Sequence, residues 1–245
     1  MNSENRGDMK YSGLMTMPGG SYRRVKLEGM ITIDGDLDCD DIRTEGLFTG
    51  NGTVKSTKGK FNGSANVKGS VVSDDVDVNG ELKVGGDLSV QDIDVEGRLF
   101  VKGSVASENI DMRGELKAGG NCDAEVFNCK GTFKIDGTLN AGEINASLYA
   151  AAHAKEIGGE KISIRKGDNT AMGILSTLFT PIIFGKTHLT VETIEGDDVH
   201  VEHTTAKVVR GDKVAIGDGC EIDLVEYRTD FKKTSDARVK KQVKV

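Results

Sequence analysis

From Gly29 to Ala146 apolar and polar residues alternate in short bursts, and the bursts recur at a fixed spacing of 17 positions. One copy reads Gly97-Arg-Leu-Phe-Val-Lys-Gly-Ser-Val-Ala-Ser-Glu-Asn-Ile-Asp-Met-Arg113, with apolar pairs at Leu99 and Val101 and at Ile110 and Met112, and a third pair at Val105 and the smaller Ser107. A period of two is strand periodicity with one face buried. Glycine marks the copies in two ladders, at 29, 46, 63, 80, 97, 114 and 131 and again at 35, 52, 69, 86, 103, 120 and 137. Such self-similarity is the mark of a repeat architecture.

The inward columns hold down the stack. Two positions after the first glycine stand Ile31, Phe48, Ala65, Leu82, Leu99, Leu116 and Phe133. Four after it stand Ile33, Gly50, Val67, Val84, Val101, Ala118 and Ile135. Further columns begin at Leu37, Ile42 and Thr44, and a sixth, from Cys39 through Ser56 and Ser73 to Ala141, stays small. Six inward positions in three pairs predict three short strands per repeat, joined by corners. The fold class expected is therefore all-β, a parallel β-helix of seven triangular 17-residue coils. The second glycine of each copy fits a corner, where positive φ or close backbone approach excludes other residues. One coil cannot bury its own apolar face, so the stability lies in stacking. No proline occurs from 29 to 146, as expected where nearly every N–H serves a ladder.

The flanks read differently. Residues 1–28 are polar, contain Pro18-Gly19-Gly20, and are expected to be a flexible leader with a short capping strand at Tyr22 to Leu27. Residues 147–227 are expected to continue the solenoid irregularly, with Leu148 to Lys155 as one or two helical turns or a less regular coil. Within them Asn169 to Gly185 carries no charged residue. It is too short, and too broken by Gly173 and Pro181, for a good membrane span. Its candidate contact residues, for a membrane or a partner, are Ile174, Leu175, Leu178, Phe179, Ile182, Ile183 and Phe184; a loop packed on the solenoid is the plainer reading. Residues 228–245 hold seven Lys and Arg against two Asp, a basic tail expected to be mobile.

Composition narrows the function. Net charge is −7, and residues 29–146 alone carry 21 acidic against 12 basic side chains, which argues against nucleic-acid binding. The cysteines Cys39, Cys122 and Cys129 fall in inward columns, and with Cys220 they match no zinc spacing. Free cysteines and the lack of a basic-then-apolar N-terminal pattern point to the cytoplasm. Gly185-Lys186-Thr187 lacks the glycine that a phosphate loop needs at position 180, which is Thr. His200 and His203 flank Glu202, but positions three apart on a strand face opposite ways, so a solvated pair is the better reading than a metal site. Asp34, Asp36, Asp38, Asp74, Asp75, Asp77, Asp92 and Asp94 drift between coils, unlike the nine-residue calcium rolls, and read as outward solvated positions. No residue is assigned a catalytic, cofactor or metal role, and no cofactor or small-molecule substrate is expected.

The copies Gly29-Met-Ile-Thr-Ile-Asp-Gly35, Gly97-Arg-Leu-Phe-Val-Lys-Gly103 and Gly131-Thr-Phe-Lys-Ile-Asp-Gly137, with the phrase Val101-Lys-Gly-Ser-Val-Ala-Ser-Glu-Asn-Ile110, resemble the bactofilins, bacterial polymer-forming cytoskeletal proteins. The resemblance covers about 29–146. It implies a right-handed β-helix that polymerises end to end without nucleotide, and a cytoplasmic scaffold, often on the inner membrane surface, that places cell-wall, shape, division or motility machinery. The implied partners are other copies of the chain, a related bactofilin and the membrane surface. The segment 147–227 departs from the usual single core with short tails.

Physics leads to the same kind of function. A β-helix ends in unpaired strand edges, which must be capped or will pair. A contact between copies that does not close gives a filament. The expected contact residues are Ile31, Ile33 and Leu37 at one end and Phe133, Ile135 and Leu139 at the other, with Ile222 and Leu224 taking the second role if 147–227 extends the solenoid. Two other readings compete. A hexapeptide-repeat acyltransferase also has glycines six apart, but three hexapeptides make a coil one position longer than this one, and the enzyme needs a histidine near the coils. A monomeric adaptor would have 147–245 cap the solenoid, with the basic tail binding an acidic partner or lipid.

Overall fold

The computed structural model describes residues 6–168 and 187–245. Their secondary structure is strand joined by short turns and bends, and the strand pairings are parallel. The chain divides into two compact units, residues 1–120 and 121–245.

The first unit holds β1 (Met9–Gly50), β2 (Val54–Val67), β3 (Val71–Val84), β4 (Leu88–Val101), β5 (Val105–Ala106) and β6 (Asn109–Ala118). Its register is the sequence period. Leu37 pairs with Val54, Val54 with Val71, Val71 with Leu88, Leu88 with Val105, and Ile93 with Ile110, the same step each time. The inward columns become the core: Ile33, Ile42, Val76, Val78, Leu82, Leu88, Val95 and Leu116 are buried. The two glycines that interrupt those columns are covered by rings. A Cβ on Gly50 would lie 3.4 Å from the Phe48 ring, and one on Gly59 would lie 3.0 Å from Phe61. The rings themselves sit 6.3 Å apart. The small column carries a polar seam, with the Ser56 and Ser73 hydroxyls 2.9 Å apart and Ser73 donating to the Asp75 carbonyl.

The glycine ladders divide their labour. The first ladder takes the left-handed conformation, from φ +98 at Gly29 to +137 at Gly114. A Cβ on Gly80 would clash with the carbonyl oxygen of Gly63. In the second ladder Gly35 also takes a positive φ, +101, with open space around it, and further along the demand is for space: a Cβ on Gly69 would lie 2.7 Å from the Gly52 backbone. The residue after this glycine closes the corner. Asp36 Oδ1 accepts from the Thr53 amide at 2.7 Å, Ser70 Oγ from the Asp87 amide at 3.1 Å, and Asp87 Oδ1 from the Ser104 amide at 2.8 Å. Each is a bond to the same position one coil on, so side chains add to the backbone bonds, such as the Gly86 amide to the Gly69 carbonyl at 3.0 Å, that join the corners.

From residue 9 onward the leader is strand. It forms the opening part of β1, with Met9, Val25 and Leu27 buried. The Arg23 amide donates to the Gly7 carbonyl at 2.9 Å, and Gly13, with φ +113, stands under Gly29. The step from Gly13 to Gly29 is one position shorter than the step from Gly29 to Gly46, so the regular ladders begin only after this coil.

The second unit holds β7 (Cys122–Leu148), β8 (Ala151–Lys166), β9 (His188–Val201), β10 (Thr204–Ile216), β11 (Glu221–Lys233) and β12 (Arg238–Lys244). Its register wanders. Lys134 pairs with His153 and Thr138 with Glu156, offsets of 19 and 18. The offset from β8 to β9 is 37, as in Ala152 to Leu189 and Ile164 to Val201, so one coil accommodates about a further coil's length of chain between Lys166 and His188. The offset from β9 to β10 is 15, and from β10 to β11 it passes from 16 to 17 at a bulge between Gly211 and Lys213. Residues 148 and 151–155 are strand rather than helix. The tail is likewise strand: β11 runs to Lys233, and β12 pairs with it at offset 17. Alternation survives these length changes because the slack is absorbed at corners; Ile157, Ile162, Ile164, Val199, Val209 and Val225 are buried.

Candidate functional site at the uncovered coils

The residues expected at the solenoid ends lie inside it. Ile31, Ile33 and Leu37 are 2%, 0% and 1% exposed, because the coil from Gly13 covers the coil from Gly29. Phe133, Ile135 and Leu139 are equally buried, with Ile135 paired to Ala154 and Leu139 to Ile157. Ile222 is buried and Leu224 half-buried, both between β10 and β12. None of the eight is an end contact. The residues 174–184 proposed for membrane or partner contact lie outside the described residues.

The uncovered coil of the first unit is the one read from sequence as a leader. Tyr11, Leu14 and Met15 are 41%, 80% and 37% exposed. By register Tyr11 shares a column with Leu27, Met15 with Ile31, and Met17 with Ile33. The same columns are sealed one coil further in, since Leu27, Ile31 and Ile33 are buried. Apolar side chains in inward columns are thus left open because no strand among the described residues covers them. Leu14 also begins an outward stripe. It stands one position after Gly13, as Met30 and Leu47 stand after Gly29 and Gly46, and these two are 51% and 50% exposed. Below Leu47 the column turns polar, to Ser64 and Glu81. An apolar patch confined to the first three coils marks a contact surface.

Among the described residues no strand covers β12 of the second unit on its outer edge, and its character is opposite. Its sequence, Arg-Val-Lys-Lys-Gln-Val-Lys, holds four cations and no acid. Arg238 meets Glu221 at 3.2 Å and Lys240 meets Asp223 at 2.7 Å, both on β11. Beside it Tyr227 and Phe231 stack with centroids 5.3 Å apart.

The four cysteines are free and buried. Burial pushes the thiols of Cys39, Cys122 and Cys129 up to about 12, and that of Cys220 up to about 11. They stay protonated at neutral pH and are poor nucleophiles and ligands. His200 and Glu202 lie 3.3 Å apart on one side of a turn, and His203 takes φ +46 in it, its ring against Gly219. Among the described residues no three His, Cys, Asp or Glu side chains are grouped to hold a metal ion. On the first unit's flank Phe100 lies under Lys117, 4.9 Å from centroid to ammonium, a cation–π contact between coils. No helix among the described residues is long and apolar enough to cross a membrane.

These features define a β-solenoid repeat protein. Among curated proteins the chain is similar to the uncharacterised protein YhbF of Bacillus subtilis (strain 168), at 34% identity over 108 residues covering 44% of this chain and 41% of that one. It is similar also to the uncharacterised protein YhbE of the same strain, at 36% over 110 residues covering 44% and 43%. The chain thus matches about two fifths of the length of these relatives. No known family profile matches it, and no solved structure does.

Proposed function

We propose that the chain is a non-enzymatic scaffold that assembles with its own copies through uncovered solenoid coils, in the manner of the bactofilins it resembles. The observation that carries this reading is the open first coil, where Tyr11 and Met15, with the half-buried Met17, occupy core columns that no strand among the described residues covers. Burying such side chains is worth about 1.5–3 kcal/mol each before the costs of association. The bare strand edge adds backbone groups that a second copy can pair. Stacking needs no nucleotide. The scaffold would hold envelope, shape or motility machinery in the cytoplasm, at the inner membrane surface where the uncharged stretch 169–185 provides contact; deletion of 169–185 then abolishes co-sedimentation with vesicles, and unchanged co-sedimentation removes the membrane part of the reading.

The test of assembly is negative-stain electron microscopy with sedimentation of the full chain, without nucleotide. Assemblies larger than the single chain are expected. Leu14→Asp/Met15→Asp should return the protein to single particles while its circular dichroism stays that of the parent. A chain that remains monomeric at all salt concentrations overturns the reading in favour of the adaptor.

A further inference from the structure

The outward charges of the second unit are ordered from coil to coil. Along one column stand Glu192, Lys207, Asp223 and Lys240, on β9, β10, β11 and β12. The sign alternates at every step. Lys207 bonds Glu192 at 3.2 Å, and Lys240 bonds Asp223 at 2.7 Å. A second column runs Glu195, Arg210 and Glu226; Arg210 bonds Glu226 and lies 3.7 Å from Glu195. A third ends with Glu221 and Arg238. Arg210 is the informative member. Its guanidinium is held by carboxylates from the coils on both sides, which its five donors allow. Arg238 and Lys240 are held in the same way from the β11 side alone.

We propose that the outer edge of β12 is a docking site for an acidic extended segment of another protein, added as a parallel strand. The backbone groups of the edge supply the ladder, and the side chains choose the partner, as in β-augmentation generally. Register fixes the pattern. The incoming strand carries carboxylates at alternate positions to meet Arg238 and Lys240, with an apolar residue between them over Val239, which is itself half-buried between the two cations. Glu221-Ile-Asp223 on the inner side of β12 has that pattern.

A second copy is the poorer occupant. The first coil with its approach, residues 6–28, carries Arg6, Lys10, Arg23, Arg24 and Lys26 against Asp8 and Glu28, a net +3. Residues 228–245 carry seven cations against two acids, a net +5. Like charges facing one another disfavour that stack. The stretch 169–185 has no carboxylate to offer. The inference does not depend on self-assembly, which runs through the apolar first coil.

The experiment is a fluorescence-anisotropy titration of the full chain with a labelled peptide Glu-Ile-Asp-Leu-Val-Glu-Tyr. Parallel titrations use the peptide with Gln and Asn in place of its acids, and the acidic peptide with N-methylated backbone amides. They are repeated on the Leu14→Asp/Met15→Asp chain, so that loss of self-assembly and loss of peptide binding read separately. Saturable binding of the acidic peptide is expected, about tenfold tighter than of the neutral one, since two exposed ion pairs are lost together and nearby cations add to them. Binding should weaken with added salt, fall about tenfold in Arg238→Gln/Lys240→Gln, and vanish for the methylated peptide. Equal binding of acidic and neutral peptides, equal binding of the methylated peptide, or no saturation by about 1 mM each overturns the proposal. So does an Arg238→Gln/Lys240→Gln chain that binds no peptide differently but no longer sediments as an assembly, since β12 would then belong to the contact between copies.

Discussion

The two units use one packing rule with different discipline. In the first, every coil after the opening turn advances by the same register step, and corner glycines, corner hydrogen bonds and core columns repeat with it. In the second, offsets of 19, 18, 37, 15, 16 and 17 succeed one another while the core columns persist. What a β-solenoid requires is alternation on its flat faces. The corner is negotiable, because a loop there is solvated and its length costs only slowly growing entropy. Strict period therefore reflects a shared corner chemistry rather than a condition for folding.

The sharpest way to break the regular unit is Gly80→Ala. The new Cβ meets the Gly63 carbonyl at a residue with φ +127. Strain in the left-handed region of about 1–3 kcal/mol plus the clash should remove more than about 3 kcal/mol, read by urea unfolding. Gly142→Ala in the second unit places its Cβ 3.1 Å from the Glu125 carbonyl outside that region, and should cost under about 1 kcal/mol.

Core truncation comes next. Leu82→Ala, at a fully buried column position, is expected to cost about 2–5 kcal/mol by the same measurement. Leu224→Ala, half-buried near the open strand, should cost less than half of that.

Alkaline pH separates the units without mutation. Each buried thiol is held above its ordinary value of 9.0, so its contribution to stability is complete below about pH 9 and is lost as pH rises toward 12. Three of the four, Cys122, Cys129 and Cys220, lie in the second unit. Hydrogen exchange followed from pH 8 to 11 should show protection falling first in residues 121–245. In Cys122→Ala/Cys129→Ala that preference for the second unit should diminish. Simultaneous loss in both units would mean that the thiols do not govern it.

The smallest effects concern the corners. Asp87→Ala removes the acceptor of the Ser104 amide and should cost about 1 kcal/mol. Asp236→Ala does the same to the Gly219 amide in the second unit, where exposure near β12 should hold the loss to about 0.5 kcal/mol. Equal losses would show that the irregular corners depend on these bonds as much as the regular ones.

Alternation and glycine spacing are local properties, so the columns from Ile31 to Leu116 and the parallel stack could be read directly. The corner ladder is legible too, in the run Asp36, Thr53, Ser70, Asp87, Ser104, Asn121 and Thr138, where every residue offers a side-chain oxygen. The second unit was harder, because the spacing changes from pair to pair: Val191 meets Ala206 at an offset of 15, and Ile222 meets Val239 at an offset of 17.

By itself the sequence determined the repeat, the inward columns and the parallel stacking, since these follow from side-chain period and from what each residue can bury. Only the tertiary structure decided where the stack is uncovered. Ile31 and Met15 share a column, and one is sealed while the other is open, because the shorter coil from Gly13 covers Ile31 and no strand among the described residues covers Met15. It also decided which glycine bends backward, since the left-handed turn falls on Gly63 and Gly80 while Gly52 and Gly69 of the second ladder answer to crowding from the neighbouring coil. Exposure and crowding are relations between coils, and they exist only once the coils are stacked.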